Sequence, residues 1–313
     1  MITIEPLFGL SNRMQALEAA LSLSKQCRLP LRLIWNKNAD LNCGFDELFQ
    51  VPSEIKDLLQ PERPFFKHYA GPLLSLGLPE FHLDERLNNF TILKSLLNVL
   101  ESFGMQRLRD GLLYALRRVN QRVFTHRGYE RAIYSDEMFL LVQQKYDFSA
   151  LNKHRSIYLQ GCVYFLNDLP ALDSFQPVAA LNAVIERISS SFDAHTVGIH
   201  IRRTDHVRST NKSPTSQFIS VMKKELARNP DAKFFLATDS PAEERTMKSI
   251  FPDKVIIYEK NSLNRNDPQA IKDALVDLYC LSKTSKILAS YESSFSRTAA
   301  ILGKISRQVI LAE

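Results

Sequence analysis

Glycine and cysteine are scarce in this chain, ten and four in 313 residues. The glycines form no G-x-G-x-x-G run, so the strand-to-helix fingerprint of dinucleotide-binding folds is missing. Cys27, Cys43, Cys162 and Cys280 lie far apart with no C-x-x-C pair, which signals neither a zinc site nor a disulfide framework. The four thiols are expected reduced and mostly packed. No apolar run approaches the roughly 20 residues of a membrane-spanning helix. The N-terminus MITIEPLFGLSNR lacks the basic start and apolar stretch of a secretory leader, so the chain is expected to be cytoplasmic. Low-complexity segments and repeats are missing as well.

What is present is a globular composition, 45% hydrophobic and 24% charged, at a length that suggests two domains. The net charge of +6 fits a nucleic acid, an anionic lipid or a phosphorylated small molecule. Nucleic acid is not expected, because the basic residues do not interleave with aromatics and no zinc or helix-turn-helix signature occurs.

The second half alternates short apolar runs with helical patterns. Strands are expected at Thr196–Ile201, Lys233–Ala237, Val255–Tyr258, Lys286–Ser290 and Gln308–Leu311, with helices at 215–228, 241–250, 268–284 and 293–302. Asp267-Pro268 is a helix start, and Gly303 suits a helix stop. Strands that are apolar throughout and separated by helices argue for a parallel sheet covered on both faces. The first half opens alike, with a strand at Ile2–Ile4, a helix through Leu10, Met14, Leu17 and Leu21, and a strand at Leu31–Trp35. Residues 52–90 then read as loops with short helices. Residues 94–131 read as helical and basic, with eight Lys/Arg against three acids, and Ser156–Leu159 reads as a further strand. The domain boundary is placed near residue 170, giving domains 1–170 and 171–313.

Five segments carry chemistry. In Val197-Gly198-Ile199-His200-Ile201-Arg202-Arg203-Thr204-Asp205-His206 an apolar strand ends in a dense polar cluster, where open α/β sheets bind ligands. Guanidinium forks match phosphate oxygens, and a site without a metal must neutralise a diphosphate leaving group with such groups. One arginine is expected to serve a ligand and the other structure, pairing with Asp205. Asp239, in Leu236-Ala237-Thr238-Asp239-Ser240, is either a ligand group on the same sheet edge or a helix cap. Asp277 sits within an apolar helix, where an unpaired acid is costly, although Asp273 and Asp277 at i,i+4 also fit a solvated stripe. Ser293 and Ser294 open a helix after a strand, an anion site by dipole and free N–H groups, or ordinary capping. Gly9 allows close ligand approach at the first strand-to-helix turn, with Asn12 and Arg13 either facing a cleft or lying on the surface.

Val197–His206 resembles the HxRRTD-type motif of the α1,6-fucosyltransferases and is similar to the related rhizobial nodulation-factor fucosyltransferases and protein O-fucosyltransferases. The other four segments follow in the family's order, over the first fifty residues and roughly 196–302. The resemblance implies an α/β fold of two Rossmann-like domains facing across a cleft, of GT-B type. It implies a metal-independent, inverting transfer of fucose from GDP-fucose. Arg202 and Asp205 are then the catalytic pair. The donor is held by His200, Arg203, Asp239, Asp277, Ser293, Ser294, Asn12 and Arg13, with Asp277 and His200 at the guanine, Ser293 and Ser294 at the diphosphate, and Asn12 and Arg13 towards the sugar. The acceptor is a glycan, a lipid-linked glycan or a protein hydroxyl. The basic 94–131 region offers weak peripheral contact with an anionic membrane. One departure matters: His206–Lys212 lacks the carboxylate that some members carry after the arginine motif. The general base is left among Asp205, Asp239, His206 and Glu5. The alternatives are a GDP-sugar-binding protein without transfer activity and a transferase for another GDP-sugar.

Overall fold

Ile2–Pro6 (β1) is buried at all five positions, as a strand covered on both faces must be. The computed structural model describes residues 1–61, 128–204, 207–260, 262–264 and 266–312. After β1 come Leu10–Cys27 (α1), Leu31–Ile34 (β2), Ile55–Leu59 (β3), Arg131–Ile133 (β4), Ser135–Gln143 (α2) and Ile157–Gly161 (β5). The strands form a five-stranded, all-parallel sheet in the order β3-β2-β1-β5-β4. Ile4 stands between Leu33 and Leu159 at its centre. Next to this sheet Trp35, Phe45, Phe49 and Phe175 form a chain of ring contacts at 5.2, 5.4 and 5.2 Å, and Trp35 donates to the Cys43 carbonyl at 2.9 Å. All four cysteines are free, and three are buried.

Two expectations for the first half need correction. The stretch after residue 52 begins with a strand, β3, and not a loop. Its Lys56 and Asp57 hid it, because an edge strand keeps charge in water, and Asp57 pairs with Arg32 across the ladder at 2.6 Å. Arg131 starts strand β4 and pairs with Glu137, so it does not close a helix. The rest of the basic segment, 94–127, lies outside the described residues.

The second half runs Ala179–Ser189 (α3), Thr196–Ile201 (β6), Val207–Lys212 (α4), Thr215–Arg228 (α5), Lys233–Thr238 (β7), Pro241–Ile250 (α6), Val255–Ile257 (β8), Pro268–Ser282 (α7), Lys286–Ala289 (β9), Ser294–Gly303 (α8) and Ser306–Val309 (β10). Its sheet is also all-parallel, in the order β10-β9-β6-β7-β8. Alternation along β7 divides its core, with Phe234 and Leu236 on one face and Phe235 and Ala237 on the other. The second face is continuous with the core of the first sheet. Between the sheets α1 packs on α8, where Gln15 donates to Thr298 at 3.0 Å.

The last strand begins two residues earlier than expected, because its Ser-Arg-Gln run sits half-exposed at a sheet edge. Gly303 is the last helical residue and not the stop. The left-handed cap is Lys304 (φ 51°). Glycine is required at 303 because a Cβ there would lie 2.0 Å from the Ser282 carbonyl oxygen.

Candidate functional site

In the second sheet the strand order turns back on itself between β6 and β9, and in such sheets the ligand crevice opens beyond the carboxyl ends of those strands. The two ends are tied together. Ser290 N donates to the His200 carbonyl at 3.0 Å, and Arg202 N donates to the Ser290 hydroxyl at 3.0 Å. Arg202, Arg203, Asp239, His200, Ser293 and Ser294 therefore gather on one edge.

The two arginines have different surroundings. Arg203 donates through Nε to Glu243 at 2.6 Å, through one terminal nitrogen to Thr215 at 3.1 Å and through the other to the Arg202 carbonyl at 2.9 Å. Arg202 pairs with Asp239 at 3.0 Å, and its side chain is 23% exposed against 12% for Arg203. Arg202 is thus the more exposed of the two guanidinium groups, and Arg203 fixes the loop. The described acid partners are Asp239 and Glu243; Asp205, the expected one, lies outside the described residues together with His206.

Asp239 does not cap the next helix. Ser240 does so, accepting from Glu243 N at 3.4 Å. The Asp239 carboxylate accepts from Arg203 N at 2.8 Å and from the Thr204 hydroxyl at 2.8 Å. Burial alone would raise its carboxyl, but Arg202 and the Thr204 and Arg203 donors hold it below the ordinary aspartate range.

Burial, and then the charge of Arg202, pushes His200 down to about 3, so the ring is neutral at pH 7. It is 5% exposed, stacks on Phe295 with ring centroids 5.0 Å apart, and leaves Nδ1 without a partner. At the start of α8 the Ser293 side chain makes no capping hydrogen bond, so the reading of Ser293 as an ordinary cap fails. The residue before it, Glu292, is left-handed at φ 51°, a strained conformation for a side chain with a Cβ. A cavity of about 300 Å³ lies alongside, lined by Arg208, Asn211, Lys212, Tyr291 and Glu292.

Asp277 is buried on α7, and Asp273 is buried with it, so the solvated-stripe reading fails too. One Asp277 oxygen accepts from Lys260 at 3.0 Å, and the other has no partner. Burial raises its carboxyl to about 6 despite Lys260. Lys260 also pairs with Glu244 at 3.2 Å, one residue from the acid that holds Arg203.

The first sheet contributes less than expected. Arg13 is fully buried, donating to the Phe8 and Asn36 carbonyls at 2.7 and 2.6 Å and to Asn38 at 3.0 Å, with its guanidinium 5.0 Å over Trp35. It is neither cleft-facing nor on the surface; it locks the turn. Asn12 is half-buried beside it. Gly9 has no atom within 4 Å of a built Cβ, which leaves its face open. Glu5 is buried and accepts from Asn36 at 2.6 Å and from Tyr158. Glu243, Thr215, Lys260 and Arg307 were not singled out in the sequence, where no motif marks them.

Among the described residues no three His, Cys, Asp or Glu side chains could hold a metal ion, and no helix is long and apolar enough to cross a membrane. No protein-family model matches the sequence, and no curated protein matches it. Solved structures do match. The chain is similar to the NodZ α-1,6-fucosyltransferase soaked with GDP-fucose, at 15% identity and TM-score 0.57, over 96% of this chain and 92% of that one. NodZ has also been solved from Bradyrhizobium. A mutant of Arabidopsis thaliana FUT1 in complex with GDP matches at 15% identity and TM-score 0.52, over 98% of this chain and 69% of that one. POFUT1 in complex with GDP matches at 11% identity and TM-score 0.52, over 99% and 98%. The chain has the α/β fold of these fucosyltransferases.

Proposed function

We propose that the chain is a fucosyltransferase that takes fucose from GDP-fucose, with inversion and without a metal, in a GT-B arrangement of two Rossmann-like domains. Residues 171–313 would hold the donor and residues 1–170 the acceptor. The observation that carries this reading is Arg202. It is a partly exposed guanidinium, aligned by Asp239, at the switch point of a sheet whose fold is that of proteins crystallised with GDP and GDP-fucose.

In this reading Arg202, the Ser293 and Ser294 hydroxyls and the free N–H groups of α8 receive the diphosphate oxygens. They stabilise the charge that develops as the bond from the anomeric carbon to the phosphate oxygen breaks. Asp239 orients Arg202, and Arg203 holds the loop that presents it. The free Asp277 oxygen takes guanine donors, with neutral His200 in the same nucleotide site. Asn12 and the open face at Gly9 belong to the sugar side. The acceptor hydroxyl, on a glycan, a lipid-linked glycan or a protein, gives its proton to Asp205 as it attacks from the opposite face. A lipid-linked acceptor suits a cytoplasmic enzyme that touches an anionic membrane through 94–131.

The test is calorimetric titration of GDP, UDP and GDP-fucose with EDTA present, followed by GDP release from GDP-fucose. Binding of both guanine nucleotides but not UDP, lost in Arg202→Ala, supports the reading. Folded wild type that binds no guanine nucleotide refutes it. Binding without release or transfer would identify a GDP-sugar-binding protein.

A further inference from the structure

Beside α8 lie two guanidinium groups that the ion-pair network leaves unneutralised. Arg307, on β10, reaches the first turn of α8, with a terminal nitrogen 3.4 Å from the Ser293 carbonyl and 3.5 Å from the Ser296 hydroxyl. Arg297, on α8 itself, is its charged neighbour. Neither forms an ion pair with a described carboxylate. Burial, and then the like charge of Arg297, lowers Arg307 from the ordinary arginine value. Its charge is also felt at His200, the 5%-exposed ring with an unpartnered Nδ1 that stacks on Phe295 in the same turn. In the sheet order β10 and β6 flank β9. The strand that carries Arg307 and the strand that leads to Arg202 therefore stand on the two sides of the β9–α8 turn, and the Arg202 backbone N–H is tied to Ser290 in that turn. A partly buried cation at the positive end of a helix raises the energy of the folded state until an anion arrives.

We propose that Arg307 is a second cationic contact for the donor diphosphate, flanking the β9–α8 turn opposite Arg202. The inference rests on the donor reading above. A merely structural Arg307, stapling the Ser293 carbonyl, would affect folding but not the share of affinity that comes from the phosphates.

Wild type, Arg307→Gln, Arg307→Lys and Arg202→Ala are titrated with GDP and with guanosine. Arg307→Gln is expected to weaken GDP by about tenfold or more and to leave guanosine within about twofold. The lysine variant, which keeps the charge but not the fork, is expected to fall between. A parallel loss for GDP and guanosine, or no loss for GDP, overturns the proposal. If melting shows that the glutamine variant does not fold, the lysine variant decides by the same GDP-to-guanosine ratio. Wild type that does not bind GDP, or Arg202→Ala that binds it unchanged, would instead sink the donor reading.

Discussion

Removing Arg203 strands a buried carboxylate, and the structure sets the size of the effect. Arg203 Nε lies 2.6 Å from Glu243, in a pair whose side chains are 12% and 11% exposed. The other Glu243 oxygen is already without a partner. Breaking a buried pair from one side costs about 3–5 kcal/mol, and the Thr215 hydroxyl, which still donates to Glu243 at 2.6 Å, places Arg203→Ala near the lower end. Removing both charges with Arg203→Met and Glu243→Leu should cost only about 1 kcal/mol, because no charge is left desolvated. Urea unfolding followed by circular dichroism measures both, and GDP titration reports whether the loop still presents Arg202. The expected outcome is an unstable, weakly binding single variant and a double variant that regains stability without regaining full affinity. A double variant as unstable as the single would refute the stranded-charge argument and assign the loss to the packing of the arginine stem. A single variant within about 0.5 kcal/mol of wild type would show that the pair contributes nothing.

His200 ties stability to pH. Its folded value of about 3 lies below the unfolded 6.5, so the unfolded chain takes up a proton that the folded chain refuses, and stability falls as pH drops from 6.5 towards 3. Relative to a non-titrating His200→Asn, wild type should lose about 2 kcal/mol between pH 7 and pH 5 in urea unfolding, and a constant difference would contradict the buried neutral ring. Helix propensity alone predicts that Gly303→Ala stabilises the protein by up to about 1 kcal/mol. The 2.0 Å approach to the Ser282 carbonyl predicts a loss of about 1–3 kcal/mol, so the sign of the change in thermal unfolding decides between them.

The second half was legible where signals were local. The helices Thr215–Arg228 and Pro241–Ile250 have the expected bounds, because the Pro-Thr and Ser-Pro starts act within a turn. The strand Ile55–Leu59 was not legible, because what makes it a strand is its ladder with Leu31–Ile34 and not its own alternation.

The site divides in the same way. That the Arg202-Arg203 pair should sit at the carboxyl edge of a sheet follows from its place at the end of an apolar strand. Which arginine is the more deeply engaged follows only from acids 36 and 40 residues away, Asp239 and Glu243, and no spacing rule reaches that far. Arg13 makes the converse case. A polar residue in a first helical turn after a glycine looks cleft-facing until Trp35, Asn36 and Asn38 close over it. In both places the residue type was readable and its availability was not, because availability is set by burial and by how far the donors are engaged, and both depend on residues distant in the chain. That criterion passes over Arg13 and Arg203, whose donors are engaged inside the fold, and leaves the partly exposed Arg202 and the half-buried Arg307.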